Sequence, residues 1–356
     1  MPDIPYQKER TRDNRLQIRK QLLEMPVLVG DFIRSVEDQY TALTCLAYIL
    51  DLRVFFQYVI AESPQFADKQ CRDLTADDMR LISYKDIELF SNYLSLYYTK
   101  NQWDQEVINE NDAHGKMRKM SALRAFYKYL FAKNVVDGNL PSLIPLPKTR
   151  PQPIVYLQPN EVATMLDLVD SGECFSQRQR NYNQNTRVRD IALLSLMLGT
   201  GIRVSECVGI DIDDINMDEN AFFVTRKGGK GMILYFSEEV AAAISHYMKQ
   251  RMSIVPLAGH ESAFFLSLQR RRITPRAIEN LVKKYARVAA PLKKNISPHK
   301  LRSTFGTELY KNTGDIYLVA DVLGHSDINT TKRHYASMNE EKKRMAAKEV
   351  VLRDDG

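Results

Sequence analysis

The stretch PSLIPLPKTRPQPIVYL, residues 141–157, carries five prolines. Proline lacks the backbone donor that helices and sheet interiors use, and it steers the residue before it away from helical angles. A chain crosses such a stretch only in extended form, so a linker is expected with a separate folded body on each side. With 356 residues there is material for two bodies, since a domain takes about 100–200 residues. The expected division is a first domain over 1–140, a linker over 141–157 and a second domain over 158–356.

The first domain reads as all-helical. Helical spacing of apolar residues runs through 40–60 (YTALTCLAYILDLRVFFQYVI), 84–98 (YKDIELFSNYLSLYY) and 116–133 (KMRKMSALRAFYKYLFAK). The last of these carries Lys116, Arg118, Lys119, Arg124 and Lys128. These five read either as a basic face able to track a phosphate backbone or as ordinary decoration of a surface helix. No run of about 18 apolar residues suggests a membrane span, and the opening MPDIPYQKERTRDNR lacks the apolar core of a secretory signal. A cytoplasmic protein without a membrane partner is expected. Cys45, Cys71, Cys174 and Cys207 are scattered and form no metal-ligand or disulfide pattern, so reduced, mostly buried thiols are expected.

The second domain reads as mainly α with a small β-sheet. A helix is expected from QPNEVATMLDLVD, with Asn160 as N-cap. The polar segment 172–187 reads as an exposed loop, and VRDIALLSLMLGTG as a buried helix stopped by glycines. Residues 221–236, AFFVTRKGGKGMILYF, have the pattern of a hairpin turning at Lys-Gly-Gly-Lys. The net charge of +6 is mild, but from Arg270 to Arg302 there are eleven Lys or Arg and one acid, Glu279. A single-sign stretch of that length points to a polyanion, with Arg270, Arg271, Arg272 and Arg276 as candidate DNA contacts.

Five separated features in this domain call for a common explanation: GTGIRVSE (199–206), RKGGK (226–230), SPHKLRST (297–304), LGHS (323–326) and Tyr335. Each alone also fits a structural role. Arg203 suits a helix cap or a pair with Glu206, Lys227 a solvated turn, and His299 and His325 packed histidines. Together they form a kit for attack on a phosphodiester. The planar fork of arginine matches phosphate oxygens. A tyrosine, with an ordinary pKa of about 10, needs activation to become a nucleophile. A lysine on a hairpin can protonate the departing 5′-oxygen. No acidic pair at metal-site spacing accompanies these motifs, so the chemistry is expected to need neither metal nor other cofactor.

As an ordered set, TGIRVSE, the hairpin lysine, the His-x-x-Arg of HKLR, LGHS and the following tyrosine resemble the tyrosine recombinase (phage-integrase) family over about 155–345. Length, helical front half and proline linker look most like the Xer type, in particular the single-recombinase (XerS-like) kind. The resemblance implies a SAM-like, helical core-binding domain in front of an α-rich catalytic domain. It implies that Arg203 and Arg302 clamp the phosphate, that Lys227 protonates the leaving oxygen and that His299 serves acid–base chemistry. His325 would hydrogen-bond the phosphate, Glu206 would support the site from behind, and Tyr335 would attack to give a 3′-phosphotyrosyl link. The implied partners are double-stranded DNA and three further copies in a homo-tetramer on two DNA sites, with accessory division or DNA-translocation proteins. The tail 339–356 reads as a C-terminal helix of the kind that docks on a neighbouring protomer.

Tyr335 follows His325 by ten residues, where many Xer-type sequences have nine; the shorter spacing would land on His334. That longer spacing is similar to integrases of conjugative elements, so chromosome dimer resolution and mobile-element integration both stand. A non-catalytic DNA-binding protein of the same fold and a type IB topoisomerase-like enzyme are the further readings. Lys230 competes with Lys227 for the acid role, being in the same turn. Lys227→Ala is expected to slow DNA cleavage far more than Lys230→Ala in single-turnover assays; the reverse order would exchange their roles.

Overall fold

The computed structural model describes residues 6–100, 103–148, 154–173, 175–226 and 229–324, with 328 and 332. The chain divides into two compact units between Pro151 and Gln152.

The first unit is built from α1 (Tyr6–Leu22), α2 (Val27–Val36), α3 (Ala42–Glu62), α4 (Ala76–Leu81) and α5 (Tyr84–Tyr93), then the strands β1 (Leu96–Lys100) and β2 (Glu106–Glu110), then α6 (Ala113–Ala132) and the single turn α7 (Leu140–Leu143). At its centre lies α3, started by Thr41, whose hydroxyl accepts the Thr44 amide. Phe55 and Phe56 are fully buried, and Phe55 meets Phe90 edge-on with ring centroids 5.1 Å apart. By length and a hydropathy of 1.5, α3 alone among the described helices could cross a membrane. Its inward residues, including Asp51, are instead buried in this unit. Asp51 accepts Arg118 Nη1 at 2.5 Å. Burial raises its pKa while Arg118 and Lys119 hold it down.

The first unit is not all-helical, contrary to the sequence reading. The helix expected over 84–98 stops at Tyr93, and Leu96–Lys100 pairs antiparallel with Glu106–Glu110. Asn111 explains the stop. Its side-chain amide donates to the Leu94 carbonyl at 2.7 Å, and its backbone NH donates to the Ser95 carbonyl. The orphan acceptors at the helix end are thereby satisfied by the returning strand. The aromatic run Leu96-Tyr97-Tyr98 suits a pleated surface, with Tyr97 turned inward onto Tyr93.

The second unit contains α8 (Pro159–Ser171), α9 (Gln177–Thr200), α10 (Val204–Val208), the strands β3 (Ile215–Asn216), β4 (Ala221–Thr225) and β5 (Gly231–Tyr235), and the helices α11 (Glu238–Met252), α12 (Pro275–Ala289), α13 (Pro298–Thr313) and α14 (Ile316–Leu323). The strands form one antiparallel sheet in the order β3-β4-β5, with Phe222 opposite Leu234 and Thr225 opposite Gly231. The N-cap of α8 is Gln158, not Asn160. Pro159 occupies the first helical position, and Glu161 accepts the Gln158 amide at 2.6 Å.

The segment expected as an exposed loop is the first half of α9. Ser176 and Gln179 form a reciprocal cap, and the helix runs unbroken from Gln177. Its polar residues are partly interior: Asn183 donates to the Val169 carbonyl at 2.9 Å and accepts the Tyr285 hydroxyl at 2.6 Å. One turn further on, buried Arg189 pairs with Asp190 at 2.6 Å and donates to the Leu266 carbonyl at 3.0 Å. These bonds tie α9 to α8, α12 and the loop after α11. Cys45 and Cys207 are buried and Cys71 is half-buried, all as free thiols, with burial pushing Cys71 up to about 11. Cys174 lies outside the described residues.

Candidate functional site

The site grows from two helix ends. Helix α9 is ended by Gly201 at φ 62, a left-handed conformation that a side chain disfavours. A Cβ there would also sit 2.5 Å from Phe305 Cδ1 and 2.9 Å from Leu323 Cδ2, so the chain has no room for one. After this turn Arg203 becomes the N-cap of α10. Glu206, nearly fully buried, accepts the Arg203 backbone NH at 3.1 Å and its Nη1 at 2.7 Å. The structural role open to Arg203 in the sequence is therefore real. It also aims the guanidinium, whose Nη2 donates to the Gly324 carbonyl at 3.1 Å.

Gly324 closes the second helix end, that of α14, again in the left-handed region at φ 59. The last carbonyls of a helix have no intrahelical partner and carry about half a negative charge together. Three arginines from three different parts of the chain take them. Arg226, at the end of β4, donates Nη2 to the Val322 carbonyl at 2.7 Å. Arg302, on α13, donates Nη2 to the Leu323 carbonyl and Nη1 to the Gly201 carbonyl at 2.6 Å. Arg203 takes the Gly324 carbonyl. Consecutive peptides thus fix three guanidinium groups beside one another, with Glu206 as the carboxylate in the group. Burial lowers the pKa of Arg226, and Arg203 lowers it further against the pull of Glu206 and Asp321.

Arg302 is only 5% exposed, so its aim is set by packing. His299 lies one turn earlier on α13 and is exposed to solvent. Residues three apart share a helix face, so both project from one side of α13. The structure therefore brings Arg203, Glu206 and Arg302 together, with His299 at the rim on the same helix as Arg302. Lys227, His325 and Tyr335 lie outside the described residues, as does the tail 339–356. Their described neighbours are in place: Arg226 NH donates to the Lys230 carbonyl at 2.8 Å across the hairpin turn, and Gly324 precedes His325. Arg226 itself was not singled out in the sequence. Its place directly before the hairpin lysine was the available signal.

Three guanidinium groups around a single carboxylate make an anion site, and the forked geometry fits phosphate oxygens. The wider set of basic residues behaves less uniformly. Lys119 was expected on a basic face but is 7% exposed, donating to Asn111 Oδ1 at 2.7 Å. Arg124 donates to the Pro141 carbonyl at 3.0 Å and the Ile144 carbonyl at 2.5 Å, holding α7. Lys116 bonds Ser95 Oγ at 2.6 Å, Arg118 serves Asp51, and Lys128 is exposed. The five do not form one solvent-facing stripe on α6, because a buried cation must have partners and the interior supplies them here. Arg272 is likewise interior: it bonds Asp211 at 2.5 Å and the carbonyls of Val208 at 3.0 Å and Ile210 at 3.2 Å. Arg270 and Arg271 are exposed, and Arg276 pairs with Glu279 at 3.1 Å on the surface.

The model of the phage integrase family matches residues 156–342. Tyrosine recombinase XerS of Lactococcus lactis subsp. cremoris (strain MG1363) is 29% identical over 346 residues, covering 90% of this chain and 94% of that protein. Tyrosine recombinase XerC of Caldanaerobacter subterraneus subsp. tengcongensis is 30% identical over 317 residues, covering 87% and 83%. Among solved structures, XerH site-specific recombinase bound to a palindromic difH substrate shares the fold with a TM-score of 0.61 at 16% identity, over 87% of this chain and 80% of that one. A Tn1549 transposon integrase in complex with a circular intermediate DNA also shares it, with a TM-score of 0.61 at 18% identity, over 90% and 99%.

The contrast between neighbouring arginines is measurable. Arg272→Ala is expected to lower stability by about 2–3 kcal/mol, because it strips hydrogen bonds from Asp211 and two carbonyls. Arg271→Ala, on an exposed side chain, is expected to stay within about 0.5 kcal/mol of the parent. Denaturation midpoints compare the two; equal midpoints would remove Arg272 from the interior framework.

Proposed function

The chain belongs to the phage integrase family, and from that premise we propose that it is a site-specific tyrosine recombinase that cuts and rejoins double-stranded DNA through a 3′-phosphotyrosyl intermediate. The observation that carries the reading is the convergence of Arg203 and Arg302 on consecutive carbonyls at the end of α14, beside buried Glu206. Guanidinium groups held in this way are oriented before substrate arrives. They are placed to stabilise charge on the equatorial oxygens of a phosphate in transition without reorganising.

In the proposed reaction the Tyr335 oxygen attacks phosphorus and the bond to the 5′-oxygen breaks. His299 takes the phenolic proton, Arg203 and Arg302 hold the non-bridging oxygens, and His325 adds a hydrogen bond to one of them. Lys227 delivers a proton to the departing 5′-oxygen, leaving a free 5′-hydroxyl. The phosphotyrosyl bond conserves the energy of the phosphodiester, so the partner strand's 5′-hydroxyl can reverse the step without ATP. Neither metal nor other cofactor is needed for these steps. Glu206 fixes Arg203 and touches no substrate.

The first unit, over 1–140, is proposed as a core-binding domain, joined by the linker 141–157 to a catalytic domain over 158–356 that acts on cytoplasmic DNA. Four protomers would pair two sites and exchange strands in turn, the tail coupling neighbouring protomers. The named relatives favour Xer-type chromosome dimer resolution, with accessory division or translocation proteins directing it. The ten-residue spacing from His325 to Tyr335 favours a mobile-element integrase as the second reading.

Covalent trapping tests both. DNA fixed to the protein in its host and then sequenced is expected to come from the replication terminus; element ends would support integration. On a nicked duplex of that site, adduct and recombinant product are both expected, and Tyr335→Phe should bind without forming adduct. Adduct without recombinant would indicate topoisomerase action, and no adduct would leave only a DNA-binding protein.

A further inference from the structure

The arginine at the root of the hairpin has contacts that stability does not explain. Arg226 brackets the β4–β5 turn with its backbone, donating its NH to the Lys230 carbonyl at 2.8 Å and accepting the Gly229 NH at 3.0 Å. Its side chain leaves the hairpin and reaches the Val322 carbonyl at 2.7 Å. There it fills the space a side chain on Gly324 would need: a Cβ at that position would fall 1.3 Å from Arg226 Nη1. Gly324 is thus required both by its φ of 59 and by this guanidinium.

The price in polar satisfaction is visible. Nε and Nη1 of Arg226 are buried and have no hydrogen-bond partner, an arrangement that disfavours the fold. Burial, together with the nearby Arg203, works against its charge. An apolar side chain would avoid both penalties while still packing on Gly324. What such a side chain would lack is a directional hold on the end of α14. The residue after Arg226 is Lys227, and the residue after Gly324 is His325.

We propose that Arg226 is a positioning residue for the leaving-group proton: by clamping the root of the β4–β5 turn to the end of α14, it fixes where Lys227 meets the departing 5′-oxygen. The inference rests on the reading of Lys227 as general acid. Arg226 acts through that lysine and touches no reacting atom. In the step it serves, the phosphorus–O5′ bond breaks, its electron pair stays on oxygen, and the proton passes from Lys227 Nζ to that oxygen.

A sulfur in place of the bridging 5′-oxygen separates this role from a general weakening of the site. A thiolate leaves without a proton, so cleavage of such a DNA no longer depends on the acid or on its placement. Single-turnover cleavage of the oxygen and sulfur substrates is compared in the parent, Lys227→Ala, Arg226→Gln and Arg226→Lys, using the DNA site identified by trapping. The sulfur-to-oxygen rate ratio is internal to each variant, so a misfolded fraction cancels from it. Arg226→Gln is expected to slow oxygen cleavage by on the order of tenfold to a hundredfold, with the sulfur substrate within about twofold of the parent, as a proton donor is no longer required. Arg226→Lys should recover part of the oxygen rate. If Lys227→Ala is rescued by sulfur and Arg226→Gln is not, the inference is overturned while the general-acid reading survives. If neither is rescued, the general-acid reading falls and takes the inference with it.

Discussion

The carbonyls that α14 leaves unpaired at Val322, Leu323 and Gly324 organise the candidate site. A helix end within a folded body must find donors, and here each carbonyl takes a guanidinium from a different part of the chain. The negative end of the helix partly balances three cations that would otherwise repel one another. One short helix thereby fixes the end of α9 and the start of α10 through Arg203, the hairpin root through Arg226, and α13 through Arg302. The two glycines, Gly201 and Gly324, let the backbone turn where those side chains pass.

This arrangement suits phosphate chemistry for a physical reason. An arginine fork free in solvent must be ordered when an anion arrives, whereas one already bonded to peptide carbonyls has little freedom left to lose. Glu206 contributes through both of its oxygens, one to the Arg203 backbone and one to its side chain, so that cap and cation are set by the same carboxylate. In the proposed mechanism the rigid part of the site holds the phosphate. The residues that move protons, Lys227 and His299, stand at the hairpin turn and at the exposed start of α13.

Much of the framework was legible in the sequence because periodicity records burial. The spacing in α3 and α6, and the alternation around the Lys-Gly-Gly-Lys turn, gave those elements their correct type. Reading failed where side-chain chemistry hid the element. The first half of α9 is polar enough to resemble a loop, yet Asn183 and Thr186 are buried against bonding partners. Tyr97 and Tyr98 fit a helical pattern as well as a strand, and only the return of Asn111 decides between them. The site motifs were visible as an ordered set, but the reason for their order was not. It depends on contacts such as Arg226 with Val322, 96 residues apart, which no local pattern encodes. Lys119 and Arg272 were misread for a related cause, since charge alone does not tell whether a cation meets water or a buried carbonyl.

The account stands on Tyr335 being joined to the 3′ side of a cut strand, and the covalent complex itself reports this. Protein trapped on DNA, digested to peptides and analysed by mass spectrometry, is predicted to yield one nucleotide-bearing peptide, modified at Tyr335 and carrying a 3′-phosphate, with a free 5′-hydroxyl on the other DNA end. A link through another residue, or a 5′-phosphate attached to the protein, would contradict the account.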